Sequence, residues 1–287
     1  MKIAEIPFTK MHGFGNSYIY VDTFQYSLKE EWLSPLARAI SNRNTGIGSD
    51  GLIVIHPSEV ANVGMRIFNK DGSEGQSCGN GLRCVAAYAV KQGLVSTPRC
   101  RIETKAGLTE AEVLQSRDGG NVKIDMGLPS LNRRSIPMLG DDDGSVISES
   151  FSIGPHTLKV TALFLGNPHA VFFVDDIDGA PLQEMGSIVT DDLRFPERVN
   201  VEFVEIMNTR EINFRVWERG SGITEACGTG ACAAVVASIL NGYVLLDQEI
   251  TVHLSGGDLN IRWASDGHVW MTGPADWTAT GVFYWKV

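Results

Sequence analysis

A chain of 287 residues is long enough to bury a sizeable core and to form two domains of ordinary size. Hydrophobic residues make up 43% and charged residues 20%, and no apolar run approaches the roughly 20 residues that a membrane helix needs, which excludes a membrane span. The net charge of −10 argues against a nucleic-acid partner, whose footprint needs clustered Lys and Arg, and leaves small-molecule chemistry as the expectation.

In chain order, the opening MKIAEIPFTKMHGFGN contains no apolar stretch of signal-peptide length and reaches glycine by residue 13, so a cytoplasmic protein is expected. "YIYVD" (18–22), "GLIVIHP" (51–57) and "MRIFN" (65–69) are rich in β-branched and aromatic residues and read as strands. "LRCVAAYAVKQG" (82–93) reads as a helix closed by Gly93. A boundary is expected near "MGLPSLNRRSIP" (126–137), followed by "GDDDGS" (140–145) as a solvated turn or hairpin tip. Strands resume at "AVFFVDD" (170–176), "VNVEFVEI" (199–206), "INFRVWE" (212–218) and "ITVHL" (250–254). Between the last two lies "ACAAVVASILNG" (231–242), a helix ended by Gly242. It carries no charge from Gly228 onward and is therefore expected to be buried on all sides.

An internal repeat organises these elements. "MRIFNKDGSEGQSCGNG" (65–81) aligns without gaps on "FRVWERGSGITEACGTG" (214–230), so that Cys78 meets Cys227 at an offset of 227 − 78 = 149. "GNSYIYVD" from Gly15 matches "GNPHAVFFVD" from Gly166, and "IGSDGLIVI" (47–55) matches "RVNVEFVEI" (198–206), both at 151. "IETKAGLTEAEV" (102–113) matches "VHLSGGDLNIRW" (252–263) at 150. Two halves of one fold follow, each mostly sheet around one apolar helix.

The five cysteines (78, 84, 100, 227 and 232) include no CxxC pair. Neither a zinc knuckle nor a thioredoxin-type motif is encoded, no metal site is expected, and the thiols should stay reduced. Cys78 and Cys227 each precede a helix, where backbone N–H groups and the positive end of the dipole favour an anion. The glycines around Asn80 and Thr229 let a carboxylate approach that backbone. If the halves face each other across a pseudo-twofold cleft, two thiols flank one carbon, a geometry suited to taking a proton from one face and returning one to the other. Like-charge repulsion favours one thiolate with one thiol, and no organic cofactor is needed. A helix terminus contributes about 0.3–1 kcal/mol, whereas lowering a thiol from about 8.5 to near 7 needs about 2 kcal/mol. His169 and Glu218 are therefore candidates for setting which thiol ionises. The repeat breaks where Asn69-Lys70 becomes Glu218-Arg219, which suits a substrate with a second amino-carboxylate end. Asn16 and Asn167 are repeat partners, and Asn200 is a further polar candidate. Cys84, Cys100 and Cys232 read as small buried hydrophobes.

The strings "FTKMHGFGNSYIYVD", "TGIGSDGLIVI", "MRIFNKDGSEGQSCGNGLRC", "GNPHAV", "RVNVEF" and "VWERGSGITEACGTGA" span nearly the whole chain and closely resemble the diaminopimelate epimerase family. The resemblance implies a cytoplasmic, pyridoxal-phosphate-independent homodimer that interconverts LL- and meso-diaminopimelate on the route to lysine and peptidoglycan. It implies two similar α/β domains, each a β-barrel-like sheet around a central helix, spanning 1–127 with 276–287 returning to it, and 128–275. By the same resemblance Cys78 and Cys227 are acid and base, and the backbone at Gly79, Asn80, Gly228 and Thr229 holds the reacting carboxylate. Asn16, Asn69, Asn167, Asn200, Glu218 and Arg219 would position the substrate, while His169 and Glu218 tune the thiols. Some members carry glutamine where this chain has Gly51, so no contact is assigned there.

Three rivals remain at this stage. A proline racemase would share the two cysteines without needing Glu218-Arg219. "GIGSDG" matches a dinucleotide-binding G-x-G-x-x-G, but a strand-like segment follows it where a helix is required. The two thiols could also form a redox pair.

Overall fold

The structure, a computed structural model, describes residues 3–76, 78–114, 120–140, 143–153 and 156–286. The chain divides into two compact units, Met1–Ile124 with Thr272–Val287, and Asp125–Met271. No helix among the described residues is long and apolar enough to cross a membrane.

In the first unit, strands β1 (Ile3–Gly13), β2 (Asn16–Asp22), β3 (Gly51–His56), β4 (Val63–Asn69), β5 (Arg99–Thr104), β6 (Gly107–Val113) and β7 (Gly120–Asp125) neighbour one another in that order. β2 and β3 run parallel, as do β4 and β5. Parallel neighbours require a crossover, and the two crossovers carry helices α1 (Leu33–Ser41) and α2 (Gly79–Lys91).

The second unit repeats the plan with β8 (Val146–Ile153), β9 (His156–Phe164), β10 (Pro168–Phe173), α3 (Leu182–Thr190), β11 (Asn200–Asn208), β12 (Glu211–Glu218), β13 (Gly222–Ile223), α4 (Gly228–Leu240), β14 (Ile250–Leu254) and β15 (Gly257–Trp263). Its parallel pairs are β10 with β11 and β12 with β14, crossed over by α3 and α4. Strand β16 (Val269–Lys286) begins in the second unit, and from Thr272 it belongs to the first, where it pairs with β1. Every segment read as a strand from its pattern overlaps one, although 57, 174–176 and 199 fall just outside β3, β10 and β11.

Two-sided burial explains the apolar runs. Leu52 and Val54 of β3 join a core with Leu36 and Ile40 of α1, while Ile53, pointing the other way by strand alternation, abuts α2 at Gly81. Likewise Val201 and Phe203 of β11 pack with Met185 and Val189 of α3, and Glu202 points to α4 at Gly230. α2 touches β1, β4, β5 and β6, and α4 touches β9, β10, β11, β12, β14 and β15, so each sheet wraps around a central helix as expected. α4 is buried without interruption from Gly230 to Ser238. α2 is equally buried from Asn80 to Ala89 although it carries Arg83. Both helices end as their sequences predict, with Gly93 at φ 72° and Gly242 at φ 77°.

The ladders correct one repeat offset. Leu52 pairs with Phe68 in the first unit and Val201 with Trp217 in the second. Since Phe68 corresponds to Trp217, Leu52 corresponds to Val201, an offset of 201 − 52 = 149 instead of the expected 151. Gly51 thus corresponds to Asn200, and Ile53 to Glu202. Tyr18 pairs with Gly51 as His169 pairs with Asn200, which makes His169 the counterpart of Tyr18. The acidic turn expected at 140–145 lies partly outside the described residues, at 141 and 142.

Candidate active site

In the first unit the site begins at a hairpin. Phe14 and Gly15, at φ 53° and 78°, form the tight turn between β1 and β2 that Gly13 and Asn16 close. Asn16 Nδ2 donates to Asp50 Oδ2 at 3.1 Å, and the same oxygen accepts from the Ser17 N–H at 2.8 Å. Asn16 Oδ1 accepts from Asn80 Nδ2 at 3.1 Å and from the Cys78 thiol at 3.7 Å. Asn80 Oδ1 in turn accepts from Arg83 at 2.7 Å, and Arg83 Nε donates to the Pro274 carbonyl at 2.9 Å. Arg83 is fully buried beneath the hairpin, so close that a Cβ on Gly13 would lie 2.5 Å from its guanidinium.

Cys78 occupies the N-cap of α2 with extended backbone. Burial pushes its thiol up, while hydrogen bonds from the Gly81 and Asn80 backbone, the Arg83 charge and the Tyr18 hydroxyl pull it down. Asn69 ends β4 as the ladder partner of Gly51, and its amide donates to Ser73 Oγ at 3.0 Å, on the exposed side.

The second unit has the same frame with different chemistry. Cys227 is the N-cap of α4, buried, with Thr229 Oγ1 3.6 Å from its sulfur. Burial, then the Glu218 carboxylate, push its thiol well above the ordinary value; Thr229 opposes and Glu202 adds to the rise. Glu218 Oε1 accepts from Thr224 Oγ1 at 2.5 Å, while Arg219 donates to the Glu197 carbonyl at 3.0 Å and through its N–H to Asn200 Oδ1 at 3.0 Å. Glu218 and Arg219 therefore do not pair with each other, as a structural ion pair would require. His169 is fully buried, its Nδ1 2.6 Å from Glu202 Oε1. Four buried polar atoms here lack a protein partner: Asn167 Oδ1, His169 Nε2, Asn200 Nδ2 and Glu202 Oε2. Buried polar groups are ordinarily satisfied, so this cluster suits a polar ligand.

The glycines of the two cysteine motifs do more than open the backbone. A Cβ on Gly81 would meet Ile53 at 2.7 Å, one on Gly228 would meet Met271 at 3.0 Å, and one on Gly230 would meet Glu202, Phe214 and the Cys227 sulfur at 3.0, 3.1 and 3.3 Å. They let each helix seat against its sheet. Among the described residues no cluster suited to a metal ion occurs, and none of the five cysteines forms a disulfide.

The family model for diaminopimelate epimerase matches residues 8–132 and 161–278. The diaminopimelate epimerases of Oceanobacillus iheyensis and Geobacillus thermodenitrificans are each 58% identical to the chain, covering 98% of it and 99% of the first, and 97% of it and 97% of the second. This chain belongs to the diaminopimelate epimerase family. It is accordingly an isomerase. Two solved structures share the fold alone: a Bacillus anthracis phenazine biosynthesis protein of the PhzF family (TM-score 0.69, 17% identity, covering 98% of this chain and 99% of that one), and a probable proline racemase from Agrobacterium radiobacter (TM-score 0.68, 15% identity, covering 96% and 92%).

For this diaminopimelate epimerase family member, sequence reading did not single out Tyr18, Asp50, Arg83, Glu202 or Thr224. Two carried a usable signal. Arg83 is the charge inside an otherwise apolar helix face, and Glu202 is the charge in the centre of "VNVEFV", both costly to bury without purpose. Asp50 and Thr224 reach the site through turns that periodicity does not reveal.

Proposed function

We propose that the chain epimerises LL-2,6-diaminopimelate to the meso form by a two-base proton transfer at the α carbon, needing no cofactor. The observation that carries this reading is the pair of repeat-related cysteines at the N-caps of two buried helices, with opposite electrostatic surroundings. Cys78 has a buried guanidinium nearby, and Cys227 has the Glu218 carboxylate, an arrangement that makes Cys78 the first of the two to ionise. The α proton passes to the Cys78 sulfur, its bonding pair remains on carbon, and the Cys227 thiol delivers its proton to the opposite face. The reverse reaction exchanges the roles.

The carbanion is the hard species, because its charge must spread into a carboxylate that is already negative. Backbone N–H groups at Gly79, Asn80, Gly228 and Thr229, unsatisfied within their helices, hold that carboxylate and stabilise the charge as it develops. Asn16, Asn69, Asn167, Asn200, Glu218 and Arg219 position the substrate, chiefly its distal end: Arg219 faces the carboxylate and Glu218 the ammonium. His169 and Glu218 tune the thiols.

The protein acts in the cytoplasm, on lysine and peptidoglycan precursors, as a homodimer with no membrane or nucleic-acid partner. Support for a second copy comes from the outer face of β1 and β16, where Ile3, Pro7, Val282 and Tyr284 alternate with inward residues and stand exposed.

The test is turnover of LL-diaminopimelate in deuterated water by wild type, Cys78→Ala and Cys227→Ala. Wild type should deliver meso product carrying solvent deuterium, and neither variant should epimerise. Full epimerisation by either variant, or turnover of proline with none of diaminopimelate, would overturn the reading.

A further inference from the structure

Glu202 poses a physical problem that its counterpart does not. Ile53, at the same ladder position in the first unit, fills the space between β3 and α2 with hydrocarbon. In the second unit that space, between β11 and α4, holds a carboxyl group of zero exposure. Burying a carboxyl where a methyl would pack is unfavourable unless the group is paired and used. The one side chain bonded to Glu202 is His169, through Oε1 to Nδ1 at 2.6 Å, while its Oε2 and the imidazole Nε2 have no protein partner.

Position supplies the use. His169 stands where the first unit has Tyr18, and the Tyr18 hydroxyl serves the sulfur of Cys78. A Cβ placed on Gly230 would touch both Glu202 Oε1, at 3.0 Å, and Cys227 Sγ, at 3.3 Å, so the carboxyl and the thiol flank one helical position. We propose that Glu202 is a positioning residue for the epimerisation, holding His169 by Nδ1–H so that the bare Nε2 serves the Cys227 thiol. The inference rests on the two-cysteine reading above.

The chemistry balances without any added reactant. When Cys227 gives its proton to the substrate carbon, the S–H electron pair stays on sulfur, and a His169 imidazolium, its proton drawn from solvent and held by the Glu202 carboxylate, balances the new thiolate. Without that cation only Thr229 and the Gly230 N–H would oppose burial and the Glu218 carboxylate. The groups that face Glu202 are His169 from β10, Glu218 from β12 and Cys227 from the start of α4, so the pair is the cation source within this cluster.

Two variants separate this role from packing. Glu202→Ile restores the residue type of the other unit, and Glu202→Gln keeps an oxygen acceptor while removing the charge. Alkylation of Cys227 by iodoacetamide, followed by peptide mass spectrometry across pH, needs no substrate. Both variants should move its midpoint upward by at least about one pH unit, a tenfold loss of thiolate at a given pH. kcat/KM should fall by about tenfold or more, with its acid limb displaced in the same direction. If Glu202→Ile fails to fold, Glu202→Gln carries the same measurement. Folded variants with wild-type alkylation and pH profile would overturn the proposal. Wild type that shows the alkylation shift against its variants but does not turn over diaminopimelate would instead overturn the functional reading and leave the dyad standing.

Discussion

Asn80 donates from Nδ2 to Asn16 Oδ1 at 3.1 Å, and the oxygen that receives this bond is also the one the Cys78 thiol reaches at 3.7 Å. One amide thus fixes both the helix terminus and the sulfur. Asn16→Asp would place a carboxylate against that sulfur and oppose its ionisation. A hydrogen bond of this kind contributes about 1 to 2 kcal/mol, so kcat/KM should fall by about 5- to 30-fold, with the pH profile displaced upward. Unchanged steady-state kinetics across pH would count against Asn16 as a support of Cys78.

The two thiols should label in a fixed order. Both are raised by burial, so their thiolate fractions grow as pH rises, but Cys78 is partly accessible and lies beside Arg83, whereas Cys227 faces Glu218. Iodoacetamide should therefore modify Cys78 at lower pH than Cys227. Cys84 and Cys100, pushed up to about 12 and about 11, serve as internal controls that stay unlabelled. Mass spectrometry showing Cys227 modified first would reverse this order of ionisation.

Arg83→Met removes the charge near Cys78 and leaves the Asn80 side-chain oxygen and the Pro274 carbonyl short of a donor. An unmet buried acceptor costs about 1–3 kcal/mol, so a lower thermal midpoint is expected. The labelling midpoint of Cys78 should also rise. A variant that loses stability with Cys78 titrating as before would confine Arg83 to a structural role.

Glycine substitutions at equivalent helix positions should differ. Gly→Ala within a helix gains about 1 kcal/mol of propensity. At Gly81 the obstructing atom is the tip of Ile53, which can rotate; at Gly230 the obstructions are a ring, a carboxyl group bound to His169 and the Cys227 sulfur. Gly230→Ala should therefore destabilise by about 1–3 kcal/mol and depress turnover, while Gly81→Ala costs less on both counts. Denaturant unfolding of the two variants side by side decides it.

Gly93 and Gly242 offer a cleaner comparison, because a Cβ at either would meet nothing within 4 Å and only the positive φ opposes it. Alanine at each should cost about 1 kcal/mol, equally in both units. Unequal losses would mean that the two helix ends are held by something besides backbone conformation.

Much of this was legible in the chain itself. Alternating and continuous apolar runs located β2, β3, β4, β10, β11, β12 and β14, and the uncharged stretch after Gly228 announced a helix enclosed on all sides. The duplication worked because "MRIFN" and "FRVWE" keep one ladder, yet it misplaced "IGSDGLIVI" by two residues. A shift of two preserves strand alternation, and apolar patterning cannot detect it; the partner strand can. That slip hid the equivalence of Ile53 and Glu202. Arg83 and Glu202 were visible as charges in apolar surroundings, but their partners, Asn80 and His169, come from a neighbouring helix turn and a parallel strand, which no local pattern specifies.

Strand β16 has a consequence for how the protein is made. The first unit requires Thr272–Val287, whose strand pairs with β1, so the opening half of the chain emerges from the ribosome lacking one edge of its own sheet. The second unit, continuous from Asp125 to Met271, holds all its own strands before synthesis ends. The half translated first is thus completed after the second, and β1 must wait, unpaired on that side, until Thr272–Val287 arrives.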